Sequence, residues 1–333
     1  MTTAFIPMSH TLQFMEPVLL ALLSNSKFLR TMSAVLVESG PDTGAIWHFG
    51  EPNHEQRELA QGNIWADLSH RGVITISGKD RTKWINDMTT QELTTLAVGQ
   101  WTQSLLLDAQ GRIEQQFFLV DDGTIMWIHT EREKVDEFVA YLNKMRFMLD
   151  VDVQDRTEEY AVVRTPGLTD SIGGPYAIVP RTELAQFTST FPPHTMQIGM
   201  WALEAQRVAA GRARILFEND HKTIPNELGF INNAVHMNKG CYRGQETVAK
   251  VFNLGHPPRR LTLLHLDGSM VHMPNHGDVV SFDGKEIGFI GTVARHYELG
   301  PIALAVIKRT VRVDAVLDIA GVSASQEVIV PAE

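Results

Sequence analysis

From Leu261 onward the chain is cut into short apolar runs by Asp267-Gly268, His276-Gly277, Asp283-Gly284 and Gly300-Pro301. Turn signals at that spacing leave room for strands and little for helices, so the segment reads as a small antiparallel β-barrel or sandwich. His256-Pro257-Pro258 stands just before it and marks a stiff boundary. A chain of 333 residues is too long for this unit alone, and the length prior is two domains.

Upstream the pattern is mixed. Gly72-Val73-Ile74-Thr75-Ile76-Ser77-Gly78 alternates apolar and polar residues between glycines, as a half-buried strand does. Asp80 begins a helix that buries Trp84, Ile85 and Met88. Strands follow at 101–107 and 113–120, with Asp108-Ala109-Gln110-Gly111 turning between them. Thr130 and Glu133 have the spacing of a capping box ahead of a helical stripe at Val135, Phe138, Val139 and Leu142. A short strand is expected at 149–153 and helices at 182–191 and 201–210, the second stopped by Gly211. Residues 218–260 show few long periodic elements. The class is α+β. The expected organisation is a poorly specified extension over 1–32, an α+β region over 33–255 in two modules meeting near 155, and the barrel over 256–333.

Charge and cysteine usage narrow the function. With 29 Lys and Arg against 39 Asp and Glu, the chain carries a net charge of −10. That disfavours a surface built to grip nucleic acid or anionic membrane. The early apolar run 18–23 is too short to span a bilayer, and no basic cluster precedes it. One cysteine excludes an intramolecular disulfide and suits a reducing compartment, so the cytoplasm is expected. Neither phosphate-binding glycine loop occurs, nor does His-Glu-x-x-His, and no metal site is expected. The run Glu131-Arg132-Glu133-Lys134 reads as a solvated helix face.

Lys239-Gly240-Cys241-Tyr242-Arg243-Gly244-Gln245-Glu246 is the informative segment. It sets the single thiol between two cations, which favours the thiolate if they face it. Its glycines permit close backbone approach or positive φ. A buried structural cysteine in an ordinary loop is the alternative.

This octapeptide resembles the Lys-Gly-Cys-Tyr/Phe-x-Gly-Gln-Glu signature of the YgfZ family of folate-binding proteins, a branch of the superfamily that contains the glycine-cleavage T-protein. Looser matches are Asp67-Leu68-Ser69 with Gly78 and Asp80, residues 107–111, Leu203-Glu204-Ala205, Ile224-Pro225-Asn226-Glu227, and Gly255 with Arg259-Arg260-Leu261. The resemblance covers roughly residues 64–330. It implies T-protein-like modules around a central channel for tetrahydrofolate or a one-carbon derivative, with a C-terminal antiparallel barrel. It assigns Glu204 to the pterin, whose adjacent N–H donors one carboxylate can accept in bidentate fashion. Lys239, Tyr242 and Gln115 are the other expected folate contacts. Between 201 and 260, nine basic residues face five acidic ones, a local excess that can focus an anionic ligand.

The resemblance departs at one place. The aminomethyltransferases follow the turn matching Gly111 with a pair of aspartates, and this chain has Gln115-Gln116. An amide cannot act as a base or balance a developing cation. The resemblance therefore implies a folate-binding protein that supports assembly or repair of iron–sulfur enzymes, some of which modify tRNA. Cys241 would be its reactive group, with Lys239 and Arg243 beside it, and iron–sulfur enzymes its clients. A folate-dependent aminomethyl transferase is the alternative, and a non-catalytic folate sensor a third reading.

Overall fold

The computed structural model describes residues 34–168, 175–269 and 272–332. The extension expected over 1–32 lies outside the described residues. Strands β1 (Val35–Leu36) and β2 (Ile46–His48) pair as a hairpin, followed by α1 (Pro52–Gln61), β3 (Ile64–Asp67) and β4 (Gly72–Ser77). Next come α2 (Arg81–Met88), β5 (Thr102–Leu107), β6 (Ile113–Asp121), β7 (Ile125–Thr130), α3 (Val135–Met145) and β8 (Asp152–Asp155). These strands build an antiparallel sheet in the order β5-β6-β7-β4-β8.

The alternation along β6 decides what each face of this sheet does. Phe117 and Leu119 turn toward α2 and α3, where Trp84, Ile85, Val135, Phe138 and Leu142 close an apolar core with Ile74, Ile76 and Ile128. Residues of the other parity, Gln116 and Phe118, face away from the helices and toward a cavity. Thr130 does not cap α3. It ends β7, and its hydroxyl donates to the Gln116 carbonyl at 2.8 Å, while a 3₁₀ turn over Arg132–Lys134 leads into the helix.

A second sheet has the order β10-β9-β3-β11, with β9 (Tyr160–Arg164), β10 (Tyr176–Pro180) and β11 (Met196–Gln197). Because β3 pairs antiparallel with β9 and parallel with β11, a strand from before residue 155 completes the sheet made after it. The two modules interleave rather than divide at one point of the chain. Helix α4 (Leu184–Thr188) is a single short turn of the stretch expected to be helical, and α5 (Met200–Ala209) lies against α1 and the barrel.

Helix α6 (Gln245–Leu254) arises inside the region that shows little periodicity. Strands β12 (Arg259–Leu266), β13 (Val279–Phe282), β14 (Lys285–His296), β15 (Gly300–Lys308), β16 (Leu317–Ile319) and β17 (Val322–Val328) then close an antiparallel barrel in the order β12-β15-β14-β13-β16-β17. Closure by β12–β17 pairing removes both sheet edges. One barrel face joins Leu105, Leu107 and Ile113 with Leu261, Leu263, Ile302 and Leu304, so the barrel is locked to the end of the first sheet.

Candidate functional site

A cavity of about 430 Å³ lies where the first sheet, the second sheet, α5 and the loop at 210–214 converge. Helical spacing sets one wall: Met200, Leu203, Glu204 and Arg207 recur at the i, i+3, i+4, i+7 positions of α5 and all line it. Gln116 and Phe118 come from β6, Tyr176 from β10 and Arg164 from β9.

Glu204 is buried in that wall, 7% exposed. Arg207 donates to it from Nη2 to Oε2 at 2.8 Å, with Nε shared between both carboxylate oxygens, and Arg214 Nη1 stands 3.1 Å from Oε1. Burial alone would raise this carboxyl, but the two guanidiniums hold it below the usual range. Three hydrogen bonds, all from Arg207, occupy a group with about four acceptor sites, which leaves capacity for one further donor rather than the bidentate pair expected from the sequence.

The charges extend well beyond Glu204. Arg214 donates from Nη1 and Nη2 to Asp42 at 2.8 and 2.6 Å, and from Nε and Nη2 to Glu131 at 2.8 Å each. Arg71 also donates to Glu131. Arg207 Nη1 reaches Glu218 at 3.0 Å, and Glu218 accepts from Thr292 of β14 at 2.6 Å, tying the barrel to the network. Burial works against the Glu131 charge, yet Arg71 and Arg214 bring that carboxyl down to about 2. Groups held ionised in this way are hydrogen-bond acceptors and charge partners, and poor proton shuttles near neutral pH.

The opposite wall is aromatic. Phe118 stacks on His129 at 5.0 Å and 15°, and Tyr176 meets His129 edge-on at 4.6 Å. Burial pulls His129 down to about 3, so it is a neutral ring, and burial pushes the Tyr176 phenol up.

Of the residues expected at folate, Glu204 lines the cavity and Gln115, Lys239 and Tyr242 do not. Gln115 lies on the helix-facing parity of β6 with Phe117, and its neighbour Gln116 takes the position in the wall. Gln116 is held there as a strap: Oε1 accepts from the Ile215 N–H at 2.6 Å and Nε2 donates to the Ala213 carbonyl at 3.2 Å. Tyr242 packs into the core shared with the barrel, its hydroxyl without a partner among the described residues, and burial pushes its phenol up to about 12.

The octapeptide does not gather its charges on the thiol. Lys239 is buried, and its ammonium donates to the carbonyls of Asn86, Thr89 and Gln91 at 2.6, 2.7 and 2.6 Å, closing the C-terminal end of α2. Arg243 pairs with Glu114 at 3.0 Å and lies over the Tyr141 ring. Cys241 itself is exposed. The loop sits where it does because two glycines touch: a Cβ on Gly244 would come 2.5 Å from the Asp108 carbonyl oxygen and 2.7 Å from the Gly111 Cα, and both glycines have φ near +80°.

Sequence reasoning missed Asp42, Arg71, Arg207, Arg214, Glu131 and Glu218. Glu131 is the sharpest case, since it belongs to the run read as a solvated face and is 3% exposed. The local excess of basic residues is also compensated, because Arg214 meets Asp42 and Glu131 while Arg259 meets Asp220 and Glu227.

Residues 29–168 match the GCVT N-terminal domain. A crystal structure of the glycine cleavage system aminomethyltransferase T from Bartonella henselae superposes with a TM-score of 0.73 at 14% identity, covering 94% of this chain and 97% of that one. The chain has the aminomethyltransferase fold. By sequence, it is 23% identical over 334 residues to an aminomethyltransferase of Herpetosiphon aurantiacus, covering 87% of this chain and 91% of the relative. It is 24% identical over 302 residues to a chloroplastic protein of Arabidopsis thaliana designated a transferase, covering 78% and 68% respectively. Among the described residues no helix is long and apolar enough to cross a membrane.

Proposed function

We propose that this chain binds tetrahydrofolate, or a one-carbon derivative, in the cavity beside α5 and serves the assembly or repair of iron–sulfur enzymes through Cys241. The observation that carries the binding reading is Glu204: an ionised carboxylate, buried at the cavity wall and fixed by Arg207 and Arg214, with room for one more donor. The residues fit the group. Glu204 would accept a pterin N–H, Phe118 and Tyr176 offer flat apolar surface to the ring system, and Arg164 and Arg212 in the same wall suit an anionic tail. A volume of about 430 Å³ falls in the range of small-molecule sites.

The iron–sulfur role rests on the resemblance of the 239–246 octapeptide, supported by the exposure of Cys241, which leaves the thiol open to another protein. Aminomethyl transfer is the second reading, favoured by the designations of the relatives. Gln116 speaks against it, because a strap amide bonded to 213 and 215 supplies neither base nor counter-charge at the wall.

The test has two arms. Tetrahydrofolate should bind saturably and about 1.5–3 kcal/mol more weakly to Glu204→Gln, the usual worth of a hydrogen bond to a charged group. Equal affinity of the two proteins would remove Glu204 from the site. In cells lacking the natural protein, Cys241→Ser should keep folate binding and fail to restore iron–sulfur enzyme activity. Full restoration by that variant, or steady aminomethyl turnover by the wild type, would overturn the assembly reading.

A further inference from the structure

A second cavity, of about 400 Å³, opens on the other face of the first sheet between β6 and α3. It shares no lining residue with the cavity beside α5. Gln115 lines it, is 1% exposed, and has a buried Oε1 without a hydrogen-bond partner among the described residues. A buried carbonyl without a donor is costly, and a site whose ligand supplies that donor is the simplest reason to keep one.

The charges around the cavity say which ligand. Glu114 and Glu137 oppose Arg243 and Lys144, so the lining is balanced. Arg243 is paired with Glu114, and Glu137 is reached by Lys134 from outside the cavity at 3.1 Å. Lys144 has no ion-pair or hydrogen-bond partner among the described residues. A purely cationic ligand meets Lys144 and Arg243, and a multiply charged anion meets the two carboxylates. A purely apolar one leaves the Gln115 carbonyl unpaired. Tyr141, Met145 and Leu106 supply apolar wall between the charged groups.

We propose that this cavity is a binding site for a zwitterionic amino acid or short peptide. The ammonium group donates to Gln115 Oε1, the carboxylate meets Lys144, and the side chain lies against Tyr141 and Met145. The proposal is independent of folate binding, because the sheet separates the two cavities.

Two methionines allow the two sites to be read apart. Met145 borders this cavity and Met200 the one beside α5. With methyl-¹³C methionine in the full chain, titration with the dipeptide leucylglycine should shift the Met145 signal saturably and leave Met200 in place. Lys144→Ala, a change at an exposed position, should weaken this binding by about tenfold, and Gln115→Leu by a similar factor. An unmoved Met145 signal, or wild-type affinity in Lys144→Ala, would overturn the proposal. Tighter binding of adenosine monophosphate at Met145 would overturn the ligand class and assign the cavity to nucleotides.

Discussion

Arg214 and Glu131 lie 83 positions apart and meet through two hydrogen bonds, Nε to Oε1 and Nη2 to Oε2, each of 2.8 Å. The pair joins the end of the first sheet to the loop after α5, and Asp42, bonded to Nη1 and to the shared Nη2, brings in the hairpin segment. Three distant parts of the chain thus converge on one buried cation. Such an ion cluster adds little net stability over a well-packed apolar one, but removing one member leaves buried charge uncompensated.

Arg214→Met should therefore destabilise the protein by about 3–5 kcal/mol in urea or thermal unfolding near pH 7. The pH dependence carries a sharper test. In the wild type, Glu131 is depressed to about 2, so its contribution is present above the ordinary glutamate value and lost as pH falls toward 2. Without the Arg214 guanidinium, Asp42 and Glu131 lose one of the cations that oppose their burial while Arg71 and His70 remain, so both carboxyls rise from their depressed values. Arg214→Met should therefore lose less stability than the wild type as pH falls below the ordinary glutamate value toward 2. Parallel stability profiles for the two proteins would contradict this account of the network.

The parity of β6 predicts opposite behaviour for adjacent glutamines. Gln116→Leu leaves the Ile215 N–H and the Ala213 carbonyl without their side-chain partner. It should cost about 1–3 kcal/mol of stability and weaken tetrahydrofolate binding by loosening the loop that carries Arg214. Gln115→Leu should leave tetrahydrofolate affinity unchanged within about twofold, since its side chain is on the other face. Calorimetric titration of both variants settles it, and a loss confined to Gln115→Leu would reverse the assignment.

Much of the fold was legible because its signals are local. The alternation at 72–78, the stripe beginning at Val135 and the Gly-punctuated runs after Leu261 each fix an element from within a few residues. The site is less legible. Glu204 was reachable through a three-residue match, but its partners come from Asp42, Glu131, Arg207, Arg214 and Glu218, and a charge run gives no sign that one member turns inward. Gln115 was expected at folate, and the parity of β6 sets it on the face of Phe117 and Leu119. A register irregularity between Leu106 and Leu107 puts Glu114 beside it at the second cavity. Helix α6 escaped notice because its only fully buried apolar side chain among those described is Val248.

Lys239 should behave as a structural residue. Its ammonium closes three carbonyls at the end of α2, and burial pulls it down to about 8 against the opposing charges of Glu92 and Asp87. Lys239→Met should cost about 2–4 kcal/mol, chiefly through the Thr89 and Gln91 carbonyls it leaves without a donor, as read by thermal unfolding. Tetrahydrofolate affinity, measured below the transition, should stay within about twofold of wild type, because Lys239 does not line the cavity. A variant of undiminished stability that loses folate would place Lys239 at the ligand instead.

The seat of the cysteine loop is testable at Gly244. Its φ of +80° is open to glycine at little strain, and a Cβ there would meet the Asp108 carbonyl oxygen at 2.5 Å and the Gly111 Cα at 2.7 Å. Backbone on both sides cannot give way as a flexible side chain would. Gly244→Ala should therefore lift the 241–244 loop off the 108–111 turn and destabilise the protein by about 1–3 kcal/mol, the sum of left-handed strain and overpacking. Gly240 lies in open space with no atom near its Cβ position, so Gly240→Ala should change stability by less than about 0.5 kcal/mol. Comparing the two variants by urea unfolding, with hydrogen exchange read at 108–111, separates a loop held by backbone contact from one held by its charged side chains. Equal stability of the two alanine variants would mean that the Gly244–Gly111 contact does not hold the loop.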